Sequence, residues 1–207
     1  METTDIYTIW SATFEKASFK DLEQCFSIVS EHYSNPNRHY HNLNHVDNLI
    51  KQIEQLSLSK SDNAILINVA LFHDVIYKAG RKDNEHKSAE FAANWLLKLN
   101  FGMVKSKMIC DIIGSTNTHE SSEFLTQLFL DLDLSILGVN EDNYQEYTAQ
   151  IRKEHIQIPD CLYKVGRKRF LKNMLSRKVI FFTSEYYEAY ENLARKNLRN
   201  ELNELNK

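Results

Sequence analysis

The stretch RHYHNLNH at 38–45 places three of the chain's eight histidines within eight residues. His41 and His45 are four apart, so on a helix they share a face. A second concentration lies in AILINVALFHDVIY at 64–77, an apolar run that carries one adjacent pair, His73-Asp74. Aspartate is almost never fully buried unless it is paired or binds a metal. The third place is His119 in GSTNTHE. The fourth is FLDLDLSIL at 129–137, where Asp131 and Asp133 interrupt a run of leucines. One divalent ion near these groups would account for charge in apolar segments. Two neutral imidazoles and two carboxylates suit Mn²⁺, Fe²⁺, Co²⁺, Ni²⁺ or Zn²⁺. Water and a substrate oxygen in the ion's open positions would give hydrolytic chemistry.

Simpler roles compete at each place. His73-Asp74 could be a hydrogen-bonded pair at a helix end. Asp131 and Asp133 point about 200° apart on a helix, so one can face an ion while the other caps, pairs or meets solvent. His32, His39, His86 and His155 read as ordinary helical or surface histidines.

The elements that must position these residues are helical. Apolar residues from Ile6 to Val29 recur at mostly three- and four-residue steps, which gives one amphipathic helix or a broken pair. SNPN at 34–37 is a turn. Helical spacing returns over 43–56, and 62–77 is apolar nearly all round, as a central buried helix would be. Asp83 is placed to N-cap a helix running to about 99. Segments 103–114, 123–137, 141–157, 159–177 and 184–205 complete the set.

Composition agrees. The chain of 207 residues has 5 Gly and 2 Pro, where average usage gives roughly 14 and 10. Turn-rich β folds need more of both. The net charge of −3 argues against an extended nucleic-acid surface. Cys25, Cys110 and Cys161 form no CxxC pair, which argues against a closed zinc site and a disulfide framework and for a reducing compartment. METTDIYTIW lacks the basic and apolar regions of a signal peptide. No apolar run reaches the ~18 residues of a membrane span. The expectation is one all-α cytoplasmic domain over 1–207, without a membrane partner. The C-terminal helix from about 184 could pack on the core or serve a homodimer.

YHNLNH at 40–45, LFHDVIY at 71–77, DNEHKSA at 83–89, the His119 segment and LDLDLSILG at 130–138 resemble the HD-domain superfamily of metal-dependent phosphohydrolases. More closely, the chain is similar to a bacterial group of predicted phosphohydrolases of about this length. YKVGRKRFL at 163–171 and ARKNLRNEL at 194–202 extend the resemblance over nearly the whole chain. It implies a helical bundle around a buried metal pocket, with His45, His73, Asp74 and Asp133 as ligands. The chain departs from some nucleotidases of the superfamily, which carry a catalytic Glu shortly after the HD pair; VIYKAGRK holds no acid. Two-metal members add two histidines, and only His86 and His119 lie in that interval here, so one divalent ion per chain (Mn, Mg, Fe, Co, Ni or Zn) is expected.

The expected reaction is hydrolysis of a phosphate ester on a nucleotide or other small phosphorylated metabolite. Asp74 would ligate the ion and orient the attacking water. Glu85 is a candidate general acid or base, or an outer partner of a ligand. The helix dipole alone would also favour an acid there. Arg38 and His41 are candidates for phosphate contacts, as is His119, which could instead bind a second ion. The basic group GRKR at 166–169 could contact phosphate or form a solvated helix face. The competing readings are a di-iron oxygenase on the same fold and a regulatory domain that binds metal or nucleotide without turnover.

Overall fold

A computed structural model describes residues 3–207, with side chains from Asp5 onward, so Met1 and Glu2 of the N-terminal segment lie outside it. The chain forms two compact units, one ending at Ser121 and one spanning Ser122–Lys207. The first holds α1 (Thr3–Ser11), α2 (Phe19–Tyr33), α3 (Leu43–Gln55), α4 (Lys60–Phe72), α5 (Asn84–Lys98) and α6 (Met103–Ser115). The second holds α7 (Phe124–Leu134), a 3₁₀ turn (Ser135–Gly138), α8 (Glu141–Glu154), α9 (Asp160–Ser176) and α10 (Ser184–Leu205). Among the described residues there is no strand. The expected all-α class is observed, and 5–33 is a broken pair of helices. Among the described residues no helix is long and apolar enough to cross a membrane.

Capping explains where several helices begin. Ser18 and Ser59 each accept from the backbone N–H three residues on, and each hydroxyl also donates to the Asp at that position. These reciprocal contacts satisfy donors that a helix start leaves open. Asn42 does the same for α3, accepting from the Asn44 N–H. Asp83 departs from expectation. It precedes α5, but its carboxylate pairs with Arg81 and makes no capping bond.

In the first unit α4 is buried along its length, from Ala64 through Phe72. It packs against α3 and α6, with α1 and α5 alongside. Its one interior amide is fully engaged. Asn68 accepts from Trp10 Nε1 at 2.9 Å and donates to the Ala64 carbonyl and the Thr13 hydroxyl. A buried polar group in such a helix is tolerable only on these terms.

The sequence expectation ran this helix to residue 77, but it ends at Phe72. The carbonyls freed there are captured by side chains from the α2–α3 region. Tyr33 Oη donates to the Leu71 carbonyl at 3.0 Å. Arg38 donates from Nη1 to Asp74 O at 2.6 Å and from Nη2 to Val75 O at 2.8 Å. The other carbonyls of the last turn are met locally, Ala70 O by His73 Nδ1 and Phe72 O by Val75 N, so the end is closed without a further helical turn.

The second unit is organised on α10, which packs on the 3₁₀ turn and α9. Asn197 of α10 donates to the Leu137 and Val139 carbonyls, fixing the turn that follows α7. Segment 180–183 enters α10 between two carboxylates. Glu191 accepts from the Ile180 and Phe181 amides, and Asp131 from the Phe182 and Thr183 amides.

Candidate metal centre

Ending α4 at Phe72 sets up the site. His73 sits at the helix C-cap and is 1% exposed; Asp74 follows in a half-buried turn. His45 enters from the first turn of α3, also buried. His45 Nε2 and His73 Nε2 are 3.1 Å apart, and His73 Nε2 is 3.1 Å from Asp74 Oδ2. Three donor atoms, one from each residue, lie within 4.8 Å of one another.

The His73 ring is oriented from behind. Its Nδ1 lies 3.0 Å from the Ala70 carbonyl. A carbonyl only accepts, so Nδ1 carries the hydrogen there and Nε2 is the nitrogen turned toward the cluster. An imidazole nitrogen, a second imidazole nitrogen and a carboxylate oxygen thus converge on one point. Such a set calls for a positive centre, either a proton or a cation.

The spacing suits a metal ion. Donors about 2.1 Å from one ion are ~3.0 Å apart at a right angle and ~3.4 Å apart at the tetrahedral angle. The two observed separations of 3.1 Å fall in the range of donors that could share one ion. Nitrogen and carboxylate donors without sulfur suit a first-row divalent metal. Both histidines present Nε2, and the Nδ1–H to carbonyl contact is the usual outer support of a ligating histidine.

Aromatic rings flank the cluster. Tyr40 lies 5.0 Å from the His45 ring, and His41 stacks on Tyr77 at 4.3 Å. His41 Nε2 is 3.9 Å from Asp74 Oδ2, at the edge of the donor set. Tyr40 and Tyr77 were not singled out from the sequence. An aromatic residue in a helical protein reads as core, and only their contacts with His45 and His41 distinguish them.

Glu85 and His119 belong to the same neighbourhood. Burial raises the Glu85 carboxyl above its ordinary value, the Asp74 charge adds to this, and the His119 charge opposes it. His119 is half-buried just beyond α6, in a left-handed backbone conformation with φ 53°. The loop between Asp74 and Glu85 is pinned to α5 by two reciprocal pairs. Ser88 Oγ accepts from Ile76 N and donates to Ile76 O; Asn84 accepts from Lys78 N and donates to Lys78 O. Asn84 and Ser88 are four apart and so share the α5 face that meets this loop. DNEHKSA contains both, but the sequence offers no sign that they bind backbone.

Arg38 has a different part from the phosphate contact expected of it. Its buried guanidinium donates to the carbonyls of His41, Asp74 and Val75 and lies over the Tyr33 and Tyr77 rings. It thereby ties the His41 segment to the turn holding Asp74. Asp133 lies half-buried on α7 of the second unit. Its neighbour Asp131 is fully buried and accepts three hydrogen bonds from Phe182 and Thr183, so it holds the entry to α10. The other histidines have local tasks. His86 is exposed beside Glu90, His32 packs edge-on to Phe91, and His155 meets the Ile151 carbonyl at the end of α8.

Comparison with models of protein families, with curated proteins and with solved structures finds no match to this chain.

Proposed function

We propose that this protein is a metal-dependent phosphohydrolase that cleaves a phosphate ester of a nucleotide or another small phosphorylated metabolite. The observation that supports this reading is the clustering of donor atoms from His45, His73 and Asp74, with the His73 ring oriented by the Ala70 carbonyl. The expected motifs of the HD superfamily supply the reaction class. A divalent ion held by His45, His73 and Asp74 would polarise the ester and lower the pKa of a bound water.

The chain's own residues would divide the remaining work. Asp74 Oδ2 lies in reach of both His73 and His41, and its carboxylate can orient a nucleophilic water by accepting its hydrogen. Glu85, raised by burial, keeps its proton to higher pH than an exposed carboxyl and can deliver it to a departing oxygen. His41, 3.9 Å from Asp74 Oδ2, and His119, whose charge acts on Glu85, can donate to phosphate oxygens. Arg38 acts as a positioning residue through the Asp74 and Val75 carbonyls.

The test is metal analysis of the purified chain combined with a phosphate-release screen of nucleotides and sugar phosphates under added Mn²⁺, Mg²⁺, Co²⁺ and Ni²⁺. Near one ion per chain and metal-dependent phosphate release are expected. The His73→Ala variant should keep its helical content and lose both. Two irons per chain without phosphate release would point instead to an oxygenase. Absence of any bound metal would make His73-Asp74 a structural pair and end this reading.

A further inference from the structure

The outward face of α9 combines features that the proposed chemistry does not use. Leu162, Val165, Arg169 and Lys172 follow one another at steps of three, four and three, so they form one stripe along the helix. The opposite face is buried, through Arg167, Leu171 and Met174. Leu162 is 61% exposed and Val165 67%, and Ile156 in the turn leading into the helix is 62% exposed. Lys164 and Lys168 flank the stripe.

The basic group GRKR therefore divides by direction. Arg167 turns inward and binds Glu201 through Nε at 2.7 Å and Nη2 at 3.0 Å. Lys168 and Arg169 turn outward. The sole acid on the helix, Asp160, is engaged by Arg152. Among the described residues, no carboxylate lies within ion-pair distance of Lys164, Lys168, Arg169 or Lys172. These four uncompensated cations stand on a chain whose net charge is −3, so they are a local concentration rather than part of a general basic character.

We propose that α9 docks this protein on an anionic lipid surface, with Leu162 and Val165 entering the headgroup boundary and Lys164, Lys168, Arg169 and Lys172 meeting lipid phosphates. Helices that lie in the interface carry this pairing of exposed aliphatic side chains with lysine and arginine. A nucleic acid would use the cations but not the aliphatics. It would also call for exposed aromatic rings, whereas Tyr163 is taken up beneath Arg152 and Phe170 beneath Arg167. The sequence expectation of no membrane partner rested on the lack of a spanning run, and a helix lying on the surface needs none.

The test is co-sedimentation of the full chain with phosphatidylcholine vesicles and with vesicles containing phosphatidylglycerol in about equal part, at low and high salt. Binding is expected only to the anionic vesicles and should fade as salt rises. Each basic residue at such a surface is worth roughly a five-fold gain in affinity. The triple variant Lys168→Glu, Arg169→Glu, Lys172→Glu should therefore bind at least about 100-fold more weakly, since each carboxylate adds repulsion to the lost attraction. Leu162→Ser with Val165→Ser should weaken binding about 10-fold at unchanged charge. Four of the five positions are exposed and Lys168 is half-buried, so circular dichroism and thermal melting of both variants should match the parent. No binding to anionic vesicles, or equal binding by the charge-reversed variant, would overturn the proposal. Tight binding of single-stranded RNA with none to vesicles would overturn it in favour of a nucleic-acid surface.

Discussion

Substituting Arg38 by lysine separates two roles that the sequence alone leaves mixed. A phosphate-binding arginine replaced by lysine keeps its charge, so substrate affinity should fall while stability holds. A guanidinium that holds the turn after α4 behaves differently, because the fork itself is what matters. Arg38 donates to Asp74 O at 2.6 Å and Val75 O at 2.8 Å, beside a Val75 that is fully buried. Hydrogen bonds from a charged donor contribute about 1.5–3 kcal/mol each, so the two together are worth roughly 3–6 kcal/mol. A lysine ammonium can reach one carbonyl but not both, which leaves a loss of about 2 kcal/mol. With about 2–4 °C per kcal/mol for a chain of this size, the melting temperature should drop by roughly 4–8 °C. Metal affinity should fall in parallel, since the same carbonyl fixes the Asp74 turn. The assay is urea unfolding with and without Mn²⁺, together with isothermal titration of the metal. A lysine variant with unchanged stability and metal affinity but a raised KM would refute the positioning role and restore the phosphate contact.

Three further expectations follow from named contacts. Glu85→Gln should lower kcat by about 10²–10⁴-fold if its proton is delivered in the reaction. Because folding raises the Glu85 carboxyl, its contribution to stability is present at acidic pH and is lost as pH rises through that raised value. The glutamine variant should therefore unfold at higher denaturant than the parent at neutral pH and match it in acid; a parent that is equally stable at both would contradict this. Asp131→Ala removes the acceptor of two backbone amides and one hydroxyl at a fully buried position. The expected cost is about 3 kcal/mol, read from the urea midpoint, with metal content unchanged. Gly138→Ala would set a methyl group 2.6 Å from Tyr190 Cβ and 2.8 Å from its carbonyl oxygen. Because backbone cannot yield as a flexible side chain does, a loss of at least ~1–3 kcal/mol is expected in thermal melts.

The sequence by itself determined the class of fold. Apolar residues at three- and four-residue steps can be buried only by helices, and too few glycines and prolines remain for a turn-rich sheet. Ser18 and Ser59, each three residues before an Asp, fixed two helix starts by purely local bonds. His73-Asp74 was legible as a candidate site because charged groups in apolar helical segments need partners, and the resemblance to the HD superfamily added His45. Tertiary structure decided what local pattern leaves open. Periodicity runs through His73-Asp74 without interruption, yet the helix ends at Phe72, where Tyr33, some forty residues earlier, takes the Leu71 carbonyl and Arg38 holds the Asp74 and Val75 carbonyls of the turn beyond. Asp131 and Asp133 look alike in their leucine-rich surroundings, and contact with Thr183 is what assigns Asp131 to the entry of α10. GRKR is one basic run in the sequence; Glu201 on α10 draws Arg167 inward and leaves its neighbours facing solvent. Helical and apolar patterns are set by short-range sterics and hydration, but the partner of a charged or hydrogen-bonding group is set by whichever distant segment the fold brings beside it.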